Sequence, residues 1–122
     1  MRVGNLDVVR DFLDVRDVAS AYVQAILKSA QINPGEIFNV ASGVPRRMRD
    51  VLDEMLRISK TSVVVETDRE RVRSAEIVRF VGDSSKAQRL LDWSPKYSFE
   101  QTLRDILKDA DRTVRDSLKA TT

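Results

Sequence analysis

Residues 3–22 read VGNLDVVRDFLDVRDVASAY, and this stretch decides the fold. Its first half sets the permissive Gly4 beside Asn5 and Leu6, then brings Arg10 onto the same candidate strand. From Asp14 onward the pattern changes. Val15, Val18, Ala19, Tyr22, Val23, Ile26 and Leu27 recur at helical spacing over three turns, with Asp14 placed to cap the helix. Tyr22 reads as buried packing on that helix.

Outward from there, Asn33-Pro34-Gly35 closes the segment as a turn. Residues 36–41 are a short, mostly apolar run, consistent with a buried strand. After the Ser42-Gly43-Val44-Pro45 loop, Met48, Val51, Leu52, Met55 and Leu56 line one face of a second helix. Residues 62–67 hold three consecutive valines and read as a strand. Residues 68–76 are charged and irregular, with Arg69, Arg71 and Arg73 among them.

Asp83 is placed to cap a short helix that runs to Leu91 and stops at Trp93-Ser94-Pro95. Lys86 falls on that helix's surface, and Trp93 reads as a core anchor beneath the last helix. Ser98 with Gln101 fits a capping box. It opens a last helix bearing Phe99, Leu103, Ile106, Leu107, Ala110 and Val114. The expected class is α/β, with short strands and about four helices.

At 122 residues the chain suits one small domain, 42% hydrophobic and 33% charged as globular chains are. It can build a modest core, without also enclosing a deep two-substrate cleft. Twenty-one basic and nineteen acidic residues are interspersed. No basic block forms, so nucleic acid is not an expected partner. No apolar run approaches the ~20 residues of a membrane span and no signal peptide opens the chain, so no membrane is expected and the compartment reads as cytoplasmic.

Cysteine and histidine are both absent. That removes disulfides, thiolate metal sites, the usual general base and the commonest metal ligand. The four glycines, Gly4, Gly35, Gly43 and Gly82, make neither a G-x-G-x-x-G dinucleotide loop nor a P-loop. Tyr22 and Tyr97 are followed four residues later by Ile26 and Gln101, so no Tyr-x-x-x-Lys pair exists. No catalytic residue is expected in this chain.

Three clusters remain. One is Gly4-Asn5-Leu6 with Arg10, the second is Arg73-Ser74-Ala75-Glu76, and the third is the Gly82-to-Ala87 segment that opens the short helix. Arginines in such clusters suit a diphosphate, and Glu76 suits ribose hydroxyls. The same spacing equally suits surface arginines paired with nearby acids.

The string at 3–22 resembles extended short-chain dehydrogenase/reductases that act on GDP-sugars, of the GDP-mannose 4,6-dehydratase and 4-keto-6-deoxymannose reductase type. So do Ile37-Phe38-Asn39-Val40-Ala41-Ser42-Gly43, the Arg73-to-Glu76 loop, Val81-Gly82-Asp83-Ser84-Ser85-Lys86-Ala87 and Leu91-Asp92-Trp93-Ser94-Pro95. The resemblance covers nearly the whole chain in order. It implies a two-part enzyme, with residues 1–122 as the nucleotide-sugar-binding C-terminal domain. An N-terminal Rossmann part of the parent would supply the NAD(P) site and the catalytic Tyr and Lys, and no cofactor would bind this chain. The implied ligand is a GDP-sugar, GDP-mannose or its 4-keto-6-deoxy derivative.

By the same resemblance, Asn5 and Leu6 approach diphosphate and base, Arg10 contacts the nucleotide, Arg73 holds the diphosphate and Glu76 meets the ribose. Three positions depart from the family pattern. Ser74 replaces a proline, which frees the loop's φ. Val9 and Phe12 stand where dehydratases carry Lys and Trp, which tilts the parent towards the reductase or epimerase branch. Asp92 replaces a glycine, though aspartate tolerates a left-handed backbone. A different class of reading is an interaction or regulatory domain derived from this fold. Finally, the stripe on the Asp14 helix is wide enough to be covered on more than one side, which implies a symmetric homodimer.

Overall fold

Asp14 starts the first helix as its position suggests. In the computed structural model its carboxylate accepts from the Arg16 amide at 2.8 Å and caps α1 (Val15–Leu27). The structure describes residues 1–71 and 76–120, apart from the side chains of 118 and 120. Two short strands, β1 (Arg2–Val3) and β2 (Val9–Asp11), precede α1. After it come β3 (Pro45–Arg47), α2 (Met48–Ser59), β4 (Glu66–Thr67), α3 (Ser85–Leu91) and α4 (Phe99–Ala120). The class is α/β, with short strands and four helices among the described residues.

The strands form two small ladders. β1 runs parallel to β4, while β2 runs antiparallel to β3 with Arg10 opposite Arg46. Residues 78–80 add a parallel edge to β2: Val9 donates to the Val78 carbonyl at 2.8 Å, and Phe80 donates to the Val9 carbonyl at 3.0 Å. β2 is thus the strand where three separate parts of the chain meet.

The core joins α1 to α3 through Ala21, Ala87, Leu91 and Trp93. Trp93 is 3% exposed, and its indole N–H reaches the Asp17 carbonyl at 3.0 Å and the Ser20 hydroxyl at 2.8 Å. It is a core anchor, but its hydrogen bonds tie it to α1, not to the last helix. Asp17, also buried, accepts from the Lys96 and Tyr97 amides at 2.9 and 3.1 Å and holds the turn beyond Trp93. Asp92 ends α3 in the left-handed region with φ 53°, the conformation its polar side chain tolerates. α4 opens with the Gln101 amide donating to the Ser98 hydroxyl at 3.2 Å, and it packs along α2.

The structure differs from the sequence reading at several places. Residues 36–41 belong to no ladder, and Ile37 is 79% exposed. An apolar run suits a strand, but a strand needs a hydrogen-bonded main-chain partner, and although Gly82 passes close to Ala41 no such bond joins the two segments among the described residues. For the same reason only Glu66–Thr67 of the 62–67 run is paired, because the one partner on offer is Arg2–Val3. Pro45–Arg47, read partly as loop, is a strand because β2 faces it. Ser84 holds the cap position of α3, and Asp83 instead accepts from the Ser85 amide at 2.9 Å. Tyr22 is not buried: it is 70% exposed.

Gly82 shows how tightly the loops meet. An alanine there would set its Cβ 2.4 Å from the Cβ of Ala41, closer than atoms approach. Gly82→Ala is expected to cost about 1–3 kcal/mol by urea unfolding. Adding Ala41→Gly should recover part of that loss, and no recovery would place the strain elsewhere.

Candidate functional site

Gly4 is where the candidate site becomes possible. A Cβ on Gly4 would lie 3.0 Å from the Arg71 carbonyl, a tight approach that any larger residue would relieve only by shifting the 66–71 segment slightly. That segment is held by the parallel pairing of β1 and β4, extended by the Asp68 amide to the Val3 carbonyl at 2.8 Å. Asn5 follows directly. Its carboxamide accepts from the Asp7 amide at 2.9 Å and donates to a Glu76 carboxylate oxygen at 3.0 Å.

Arg10 arrives from β2. Its guanidinium donates to the Val9 and Ile77 carbonyls, both at 2.8 Å, and lies 3.8 Å from the other Glu76 oxygen. Arg10 is pinned through one terminal nitrogen, while its second terminal nitrogen faces Glu76 at beyond hydrogen-bond length. Asn5 and Arg10 therefore share one partly exposed patch with Glu76, which is far from them in sequence. Their charges nearly cancel, so an anion that displaces Glu76 from Arg10 meets a positioned donor fork.

Leu6 is placed differently. Its side chain is buried and its carbonyl accepts from the Arg49 amide at 3.0 Å. Arg73 lies outside the described residues. The positions that flank its loop, Arg71 and Glu76, adjoin Gly4 and Asn5 respectively.

Asp11, which no local pattern in the sequence marks, organises this strand. Its carboxylate accepts from the Ser42 amide and hydroxyl, from the Gly43 amide at 2.9 Å and from the Gly82 amide at 3.1 Å. Burial pushes its pKa up, yet these hydrogen bonds outweigh burial and hold it below the usual carboxylate value. One side chain thus ties β2 to the loops after 41 and 81. In the sequence this is only an acid on a strand with two loop glycines elsewhere, a pattern too common to mark a role.

Among the described residues no group of acidic side chains is arranged to hold a metal ion. No helix among them is long and apolar enough to cross a membrane.

A family model described as GDP-mannose 4,6 dehydratase matches residues 1–106. The chain is 34% identical over 116 residues to a GDP-6-deoxy-D-mannose reductase of Pseudomonas aeruginosa, covering 95% of this chain and 37% of that protein. It is 27% identical to a GDP-mannose 4,6 dehydratase of Cricetulus griseus, covering 87% of this chain and 32% of the relative. Among solved structures, RMD from Pseudomonas aeruginosa complexed with NADPH superposes with a TM-score of 0.80 at 33% identity. That match covers 89% of this chain and 35% of the other. The chain spans about a third of the length of these relatives.

Proposed function

This chain belongs to the GDP-mannose 4,6 dehydratase family, and on that premise we propose that it holds a GDP-sugar as the nucleotide-sugar-binding part of a longer dehydratase, reductase or epimerase. The observation that carries the reading is the meeting of Asn5 and Arg10 at Glu76. In this reading Arg10, with Arg73, takes the diphosphate through charge-assisted hydrogen bonds. Glu76, displaced from Asn5, turns to the ribose hydroxyls, and the freed Asn5 amide joins the diphosphate or base. Leu6 can offer only its main chain, since its side chain is buried.

The names of the two relatives support a GDP-sugar, GDP-mannose or a 4-keto-6-deoxy derivative of it. Val9 and Phe12 favour the reductase or epimerase branch over the dehydratases, and the identity to the reductase is the higher of the two, 34% against 27%. In this reading NAD(P) belongs to the N-terminal Rossmann part that the resemblance implies. The four glycines here make no G-x-G-x-x-G loop opening a helix, so the residues present do not fit the dinucleotide-binding motif. No chemical step is therefore assigned to this chain, and supplied with NADP and a GDP-sugar it should turn over nothing above a buffer blank.

Titration calorimetry tests the reading directly. Heat is expected with GDP-mannose and none with ATP. Arg10→Ala should weaken binding by about 10- to 100-fold, the loss of one charge-assisted contact of ~1.5–3 kcal/mol. Arg10→Lys should restore only part, because a point charge cannot reproduce the guanidinium fork. Absence of heat with every GDP-sugar would instead favour an interaction or regulatory domain.

A further inference from the structure

Glu76 engages two groups of the candidate site at once, and its main chain is tied to one of them. One carboxylate oxygen accepts from the Asn5 carboxamide at 3.0 Å, and the other stands 3.8 Å from the second terminal nitrogen of Arg10. The next residue, Ile77, offers its carbonyl to the first terminal nitrogen of Arg10 at 2.8 Å. Two main-chain hydrogen bonds with Val9, from Phe80 and to Val78, then fasten the following residues along β2. The Glu76 side chain can rotate, but its charge stays close to the Arg10 fork. The two side chains are only 23% and 29% exposed, so water screens these charges less than at an open surface.

That tether has a chemical consequence. A bare anion that reaches Arg10 meets a carboxylate of its own sign and has no donor to give it in exchange. A ligand with hydroxyl donors beside its diphosphate is different. Its phosphate oxygens accept from Arg10 and Asn5, while its hydroxyls donate to the released carboxylate. Every hydrogen bond lost in the exchange is replaced.

We propose that Glu76 makes anion binding at this site conditional on hydroxyl donors, so that a nucleoside diphosphate enters and inorganic diphosphate is turned away. Glu76 then determines specificity as well as contacting the ribose, and the phosphate and hydroxyl contacts strengthen each other. The inference rests on the nucleotide-sugar reading above.

Titration calorimetry with GDP, 2′,3′-dideoxy-GDP and inorganic pyrophosphate tests it on the full chain. The parent should bind GDP about tenfold tighter than the dideoxy form, and pyrophosphate more weakly still. In Glu76→Ala, pyrophosphate should bind about tenfold tighter than it does to the parent, and the two nucleotides should agree within about threefold. Glu76→Gln keeps the side-chain shape without the charge and should gain pyrophosphate affinity in the same direction. A merely damaged site would lose every ligand, so a gain for one of them is the telling result. Unchanged or weaker pyrophosphate binding in both variants, with the parent still taking GDP, would overturn the inference and leave the nucleotide-sugar reading standing. Equal binding of GDP and its dideoxy form by the parent would do the same. A parent that takes no GDP would overturn that reading itself, and this inference with it.

Discussion

Trp93→Ala is expected to lower the unfolding free energy by about 3–5 kcal/mol, a large part of the 5–15 kcal/mol that holds a typical domain together. The indole fills the space between α1 and α3 against Ala21, Ala87 and Leu91, side chains too small or too fixed to close the gap it would leave. Its N–H also serves the Asp17 carbonyl and the Ser20 hydroxyl. Trp93→Phe separates the two contributions. It keeps most of the ring volume and loses the donor, so a smaller loss, of about 1–2 kcal/mol, is expected. Urea unfolding followed by circular dichroism reads both, and a Trp93→Ala midpoint equal to the parent's would show that the core lies elsewhere.

Asp14→Ala should cost about 3 kcal/mol, since one buried carboxylate serves three purposes. It caps α1, accepts from the Arg16 guanidinium at 2.9 and 2.7 Å, and accepts from the Thr102 hydroxyl of α4 at 2.6 Å. Arg16 in turn reaches Asp105 at 2.8 Å and lies over the Tyr97 ring at 3.8 Å, so the start of α1 is fastened to α4 through this pair. The Arg16 hydrogen bond holds the Asp14 carboxyl well below the usual carboxylate range, with burial opposing it and Thr102 assisting.

A folded-state pKa below the unfolded one contributes stability that is fully present above about pH 4, the unfolded value. That contribution is lost as the pH falls through the depressed folded value. Asp14→Asn keeps part of the geometry and removes the titration. Its stability should therefore be lower than the parent's at neutral pH and should fall less steeply below about pH 4. An acid limb as steep as the parent's would assign the titration to other carboxylates, Asp11 among them.

The candidate site was legible in parts. Gly4, Asn5 and Arg10 stand within one short stretch, and their closeness could be read from the chain. Glu76 could not, because nothing local brings residue 76 to residue 5. That contact comes from the parallel pairing of β1 with β4 and from the 78–80 segment lying along β2. The role of Asp11 stayed hidden for the same reason: its partners, at 42, 43 and 82, come from two distant loops.

The helices were settled by sequence alone. Each of α1, α2 and α4 repeats apolar residues at helical spacing, and a helix meets its own main-chain hydrogen bonds within itself, so the local pattern is sufficient. Caps are equally local, as Asp14 and Ser98 show. Strands are not. Valines at 63–65 and the apolar run at 36–41 carry the side chains of strands, yet a strand's hydrogen bonds lie on another segment, and only tertiary structure decides whether that segment is there. Tyr22 follows the same logic in side-chain terms: its period marks an apolar stripe, but only the packing of α3 decided that Ala21 would be covered and Tyr22 left open.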